Sequence, residues 1–486
     1  MFFATASAGK LEQRLDAGFY NPKYLSQEDK FDLFNTMTIG EIAGDPKTVT
    51  YGVLKPIAGN STCLLAKIQN FDNGFLDVDS CASINKQQFE QYLRSECFEG
   101  DLIVALGGYP GKACIIGELG TNVRININQH IARIRVKNEH VNSYYILSYL
   151  LSPFGKLSLE RQITGSVQAG INLEDLRTLP VIVPSHSSQT YIGDKIRQAE
   201  CLRAWAKTLQ DTADLKIEQA FSYKLVDSMS TKPRKISSFL LSPDSLGPEF
   251  ARAQEGQATF EASQELLHFI EFCKCGDPIK SEDRVAGEYH YYGASGPIDS
   301  HNEYNFDGDY LIVAQDGSIG CANVAHGKIW ANNHVWVLKA KQNVDIDALG
   351  RFLDHHFPYW KGVTTGSVVP KVTSENLLKV NVPAEIAKSS EIGDHIRLSD
   401  TAVTFCKKLT QVARLLVENL IEGHISEQEL IDAQQALESG NKDLDRALLA
   451  RFSAKGIDVD GASPLFDDLD QLYSLLEQAE LAQQEA

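Results

Sequence analysis

The stretches TGSVQAGINLEDL, beginning at Thr164, and TGSVVPKVTSENL, beginning at Thr365, each set a threonine hydroxyl, a glycine and a serine hydroxyl in succession. Small side chains, hydroxyls and free main-chain N–H groups suit close approach to a phosphate, so Thr164, Gly165, Ser166, Thr365, Gly366 and Ser367 are candidate nucleic-acid contacts. The same glycines equally suit a plain turn. Lys112, Arg124, Arg133 and Arg161 in the first half of the chain, and Lys328, Lys361 and Lys371 in the second, are cations that can reach phosphates or guanine edges. Each is also readable as a solvated surface charge. Trp330 completes the set as a ring that either stacks on a base or packs in the fold.

Other constellations carry less. GGYPGK, ending at Lys112, is one residue short of a phosphate-binding loop, and Ala113 stands where a magnesium-binding hydroxyl belongs; a strand-connecting turn explains it better. NPKY from Asn21 is one substitution from the Asn-Pro-Pro-Tyr of amino-methyltransferases, but no glycine-rich cofactor loop accompanies it. The CKC at Cys273 to Cys275 lacks a second Cys or His pair at zinc spacing. His355 and His356 sit among apolar residues that point to helix packing. With no nucleophile triad or carboxylate cluster in view, no catalytic residue and no metal ligand is assigned.

A duplication positions these residues. The TGSV copies stand 201 positions apart, and the similarity continues on both sides. Upstream, EGDLIVAL from Glu99 matches DGDYLIVAQ from Asp307, and QHIARIRV from Gln129 matches NHVWVLKA from Asn333. Downstream come the Pro-ended strands LPVIVP and VNVPAE, then IGDKIRQAE from Ile192 and IGDHIRLSD from Ile392. A period near 200 residues is that of a domain, too long for a solenoid unit.

Each copy ends in a long helix. Ile192, Ile196, Ala199, Leu202, Ala206, Leu209, Ala213, Ile217 and Ala220 recur in steps of three and four, as do Ile392, Ile396, Val403, Cys406, Leu409, Ala413, Leu416 and Leu420. Such spacing predicts a narrow coiled-coil seam. About thirty residues make a rod of about 45 Å. The duplicate is the natural partner; separate packing against the globular copies is the alternative. An antiparallel pair would set the two copies at opposite ends, able to touch DNA segments about a dozen base pairs apart.

The 486 residues, 43% apolar, suffice for two ordinary cores. Nine scattered cysteines, no apolar run of membrane length and an opening unlike a signal peptide lead us to expect a reduced, soluble, cytoplasmic protein without membrane contact. The net charge of −18 is uneven: residues 421–486 hold fifteen acids against four bases, whereas residues 121–186 carry seven bases against four acids. A local basic face is therefore compatible with the acidic average. The tail from about Ser426 reads as two amphipathic acidic helices around KGIDVDGASP, with a fold-completing or protein-facing role.

The duplicated order, with GDLIVALGGYPGKACII and GDYLIVAQDGSIGCANV in its two halves, resembles the specificity subunit of type I restriction-modification systems, as does RLDAGFYNPKY from Arg14 and, more faintly, LGPEFARA from Leu246. The resemblance runs from Arg14 to about Leu420 and resides in the duplicated order, since none of its motifs is specific alone. It implies an α/β chain: a first target-recognition domain (1–186), a long spacer helix (187–230), a second target-recognition domain (231–386), a second spacer helix (387–425) and an acidic helical extension (426–486). The two domains, mixed β with helices, would be separated by the helices packed as an antiparallel coiled coil in a pseudo-twofold internal repeat. It further implies a non-catalytic subunit that binds a bipartite, gapped target in double-stranded DNA, with two methyltransferase subunits and restriction subunits as partners. S-adenosylmethionine, ATP and magnesium would belong to those partners, leaving no cofactor in this chain. The rival readings are a self-contained DNA methyltransferase or nuclease with an unrecognised site, and a protein-binding scaffold that no longer reads DNA.

Overall fold

The computed structural model describes residues 18–165, 169–221, 263–357, 363–364 and 370–485. The chain forms two compact units, one from Met1–Ala204 with Ala402–Ala486, the other from Trp205–Thr401. The division falls inside both long helices, His186–Ala220 and Ser390–Glu422.

The first unit contains strands β1 (Thr36–Thr38), β2 (Thr50–Tyr51), β3 (Cys63–Ala66), β4 (Phe71–Asp72), β5 (Phe75–Leu76), β6 (Ala82–Ser83), β7 (Leu102–Ala105), β8 (Ala113–Ile115), β9 (Arg124–Ile127), β10 (Ile131–Ile134) and β11 (Pro180–Ile182). They pair in the orders β2-β10-β7-β8-β5-β4 and β6-β3-β9, with β1 against β11. The second unit contains β12 (Ser263–Glu265), β13 (Ile270–Cys275), β14 (Tyr289–Gly293), β15 (Gly296–His301), β16 (Phe306–Asp307), β17 (Tyr310–Ala314), β18 (Ala322–Ala325), β19 (Lys328–Ala331), β20 (Val335–Ala340) and β21 (Asn381–Pro383). Their orders are β13-β20-β17-β18 and β15-β14-β19-β16, with β12 against β21.

The two units share a common pairing pattern, though the first has a six-stranded sheet where the second has four strands. β7 and β17, the LIVA-type runs, are buried along their whole length, which is why they show no polar alternation. Each is flanked by its antiparallel hairpin partner on one side and by β10 or β20 on the other. In the second sheet a parallel pair recurs, β3 with β9 and β14 with β19. Each unit closes by pairing its first strand antiparallel to its Pro-ended last strand.

Two glycines mark matching close approaches. A Cβ on Gly52 would lie 1.8 Å from the Ile127 carbonyl oxygen, and one on Gly276 2.2 Å from that of Asn332. No rotamer relieves a clash with backbone.

In the second unit the end of the first long helix meets the start of the second, as an antiparallel pair requires. Ala213 and Ile217 share a core with Ile392 and Ile396, and Lys216 pairs with Glu391 at 2.6 Å. Phe221 packs edge to face against both Phe352 and His356 in this core, and the Phe352 and His356 rings meet at a tilt. The His356 imidazole is pushed down to about 4 by burial and by His355, so it is neutral packing material, as the RFLDHHFPYW pattern suggests.

In the first unit the second helix departs from a narrow seam: Ala402, Phe405, Cys406, Leu409, Val412, Ala413, Leu416, Val417, Leu420 and Ile421 are all buried. The acidic tail folds back onto this helix. Phe466 stacks on Phe405 at 6.2 Å, and Asp467 pairs with Lys408. The tail comprises three helices, Glu427–Glu438, Asp443–Ala450 and Leu469–Glu485, where the sequence pattern suggests two. Gly440, at φ 82°, ends the first of them abruptly and lets the short middle helix start at Asp443.

That middle helix carries the anchor. Asp445 is 1% exposed and accepts from Lys195 Nζ at 2.6 Å, from Tyr191 Oη at 2.7 Å and from Tyr473 Oη, tying the tail to the first long helix. Burial alone would raise the Asp445 carboxyl; the Lys195 charge and the donated hydrogen bonds outweigh it and hold the group below the ordinary carboxylate range.

Asp445→Asn should cost about 3–5 kcal/mol in urea unfolding, because it leaves the Lys195 ammonium buried without its counter-ion. Since the folded-state value is depressed, this contribution is present above about pH 4 and is lost as pH falls through the lower folded value. The wild type should therefore lose more stability than the variant on acidification below pH 4. Gly52→Ala and Gly276→Ala should each cost about 1–3 kcal/mol in the same assay.

Candidate nucleic-acid interface

Past β7 the chain turns through Leu106–Lys112 and returns as β8. Two other loops meet this turn. The Leu106 N–H donates to the His130 carbonyl at 2.7 Å, and the Ile171 N–H donates to the Leu106 carbonyl at 2.8 Å. Thr164 and Gly170 exchange main-chain hydrogen bonds of 2.8 and 3.0 Å, closing the TGSV loop on itself, and Gly170 also bridges to Gly107. The TGSV and GGYPGK motifs, distant in sequence, therefore form one tip.

Positive φ at Gly108, Gly111 and Gly165 makes its turns, which confirms GGYPGK as a strand connection. Tyr109 stands 69% exposed with the Lys112 ammonium 5.1 Å from its ring centre. Thr164, Gly165 and His130 are also exposed, and the Gln129 amide lies 3.3 Å from the His130 ring. The tip offers hydroxyl, phenol, ammonium, imidazole and amide groups, the inventory used on base edges and phosphates. Ser166 lies outside the described residues.

The second unit repeats the backbone with other side chains. The Gln315 N–H donates to the His334 carbonyl, and the Val372 N–H to the Gln315 carbonyl, both at 2.8 Å. Here the turn is QDGSIG: Asp316 receives His334 Nδ1 at 2.7 Å and pairs with Lys371 at 3.7 Å. Lys361, Thr365, Gly366 and Ser367 lie outside the described residues. Lys328 and Trp330 belong to the other sheet, on β19. Lys328 is exposed above the rings of Tyr304 and Tyr289 at 4.6 and 5.9 Å, while Trp330 donates to the Asp277 carbonyl at 3.3 Å and meets His301 edge-on.

Three arginines are committed to the fold. Arg124 binds Glu96 at 2.7 and 2.9 Å and Glu90 at 2.6 Å. Arg133, 4% exposed, donates to the Glu96 and Thr48 carbonyls; burial, then the neighbouring Arg135, lowers its affinity for the proton. Arg161 clasps the Phe19 carbonyl and Glu28. Net charge in a sequence window does not distinguish a satisfied cation from a free one.

The sequence reading missed Tyr109, Gln129 and His130, whose proximity arises from long-range strand pairing. It also missed a basic cleft of about 570 Å³ in the first unit, where Lys112 is joined by Lys156, Lys407 and Arg414. Cys273 and Cys275 are free thiols, and among the described residues no group of three or more His, Cys, Asp and Glu is placed to hold a metal. No described helix is long and apolar enough to cross a membrane.

Comparison with known proteins bears on this duplicated tip. A type I restriction enzyme specificity subunit of Escherichia coli (EcoBI) is 25% identical over 191 residues, 39% of this chain and 38% of that protein. A candidate type I restriction enzyme specificity subunit of Haemophilus influenzae is 34% identical over 112 residues, 22% of this chain and 28% of that protein. The alignments thus span well under half the length of these relatives. Among solved structures, the S subunit of a type I restriction-modification system from M. genitalium aligns over 81% of this chain and 96% of its own, at 15% identity and a TM-score of 0.42. The HsdS subunit from Thermoanaerobacter tengcongensis aligns over 81% and 97%, at 12% identity and a TM-score of 0.26. The model of the type I restriction modification DNA specificity domain matches residues 56–203 and again 264–385, one match over most of each repeated sheet system. With more than half of its residues matched in this duplicate manner, the chain belongs to the type I restriction-modification DNA specificity family.

Proposed function

We propose that this chain is the sequence-reading subunit of a type I restriction-modification complex, in which each unit reads one half of a bipartite, gapped DNA target. The observation that carries this reading is the tip built twice on one backbone scheme with different side chains: Tyr109, Lys112 and His130 in one, Asp316, His334 and Lys371 in the other. A shared scaffold with unlike contact groups suits two different half-sites, so the target is asymmetric.

Main-chain N–H groups and cations at the loops would fix the register on phosphates, and the exposed side chains would select bases. Thr164 and Gly165 suit the first task; Tyr109, His130 and Lys112 suit the second. This reading needs no catalytic centre in the chain itself, and the methyl donor, ATP and magnesium are assigned to partner subunits. Two methyltransferase subunits and the restriction subunits would assemble around the chain, acting in the cytoplasm on double-stranded DNA.

The decisive experiment maps methylated adenines in DNA from cells expressing this chain with its cognate methyltransferase subunit, and each alone. The expected result is methylation of a gapped, two-part sequence only in the co-expressing cells. Methylation by this chain alone would make it an enzyme, and a continuous target would overturn the two-unit reading. Within the same assay, Tyr109→Ala with His130→Ala should relax base preference in one half-site, by about 10- to 100-fold in discrimination, and leave the other half unchanged.

A further inference from the structure

The basic cleft of the first unit draws its cations from three separate parts of the chain. Lys112 comes from the β7–β8 turn, Lys156 from the helix Pro153–Arg161, and Lys407 and Arg414 from one face of the second long helix, seven residues apart. Their mutual repulsion is relieved in part by Glu418, which lies on the same helix within electrostatic reach of Arg414. Lys156, Lys407 and Arg414 have no carboxylate in hydrogen-bonding or ion-pair contact among the described residues, and the Nε of Arg414 is buried without a partner. The single acid in the wall, Glu160, is already taken by Lys23 at 2.8 Å. Partial burial, and then the charge of Arg414, weaken the hold of Lys156 on its proton, a further sign of crowded positive charge.

Grouped cations of this kind cost stability unless an anion occupies the space between them. The remaining wall is mixed: Phe71 and Leu151 supply apolar surface, while Asn73 and Thr410 offer an amide and a hydroxyl. At about 570 Å³ the cleft has the size of a small-molecule site, within the usual range of about 300–1,000 Å³. It opens beside Lys112, one of the tip residues.

We propose that this cleft is a phosphoryl-binding site that takes two adjacent phosphate groups, their oxygens shared among Lys156, Lys407 and Arg414. The phosphates are those of a free nucleoside polyphosphate, whose directly bridged phosphoryl groups match the clustering of the cations in one cleft. The assignment rests on the cleft itself and stands whether or not the tips read sequence.

The test uses the full chain and pyrophosphate as the probe, by titration calorimetry and thermal unfolding at low salt. The expected result is one pyrophosphate bound per chain with a rise in Tm. Lys407→Gln with Arg414→Gln should weaken binding at least tenfold while leaving the unliganded Tm equal or higher, because removing repelling charges relieves the fold. Absence of saturable binding to the wild type, or equal binding by the double variant, would overturn the proposal. Competition then identifies the ligand: displacement by ATP and not by a duplex of arbitrary sequence supports the proposal, and displacement by the duplex would overturn it by assigning the cleft to the DNA backbone. If neither displaces the probe, pyrophosphate is an adventitious ion only and the proposal fails.

Discussion

A main-chain hydrogen bond formed twice, Ile171 N–H to the Leu106 carbonyl and Val372 N–H to the Gln315 carbonyl, fixes where each loop system must return. A strand that ends in a partly buried place needs partners for its last carbonyl and N–H, and they must come from elsewhere in the chain. Leu106 and Gln315 take both, one from the loop before β11 or β21 and one from the residue before β10 or β20. Because backbone groups supply this closure, side chains at the tip are free to differ without moving it. The bracketing pairs β1–β11 and β12–β21, and the close approaches at Gly52 and Gly276, hold the same frame from its base.

Charge is used differently in the two ends of the chain. The acidic tail forms part of the first unit, held by Asp445 in a pocket of two tyrosines and a lysine. Its exposed acids meet local cations in Lys442–Glu477, Arg446–Asp470 and Arg451–Glu429 pairs. Exposed pairs of this kind each contribute at most about 1 kcal/mol, so the buried anchor and the apolar face against the long helix dominate. The cations of the cleft are grouped differently: among the described residues Lys156, Lys407 and Arg414 make no direct ion pair with a carboxylate.

The duplicated order was legible because it is written in local signals: buried runs such as LIVA and LIVA again, the Pro-ended strands and the three-four steps of the long helices. What was not legible depends on distance in the chain. Nothing local announces that Gly107 meets Gly170, or that Arg133 spends its donors on the Glu96 and Thr48 carbonyls. The helix seam was read as narrow because its periodicity is satisfied by the first apolar stripe. Val412, Val417 and Ile421 are buried as well, and the tail returns onto the same helix at Phe405 and Lys408; its middle helix, only eight residues long, is too brief to carry a clear period.

The tail also sets an order on biosynthesis. The Lys195–Asp445 pair closes a span of 250 residues, and the whole of the second unit is translated between the two partners. As the chain leaves the ribosome, the second unit has all of its residues before the first has received the helix and tail that complete it. A ribosome that stops before Asp445 releases a chain whose Lys195 must stay solvated and whose long helices lack their cover. The first unit is thus discontinuous in the chain, and the contact that ties its tail to the first long helix forms only after the intervening unit has been made.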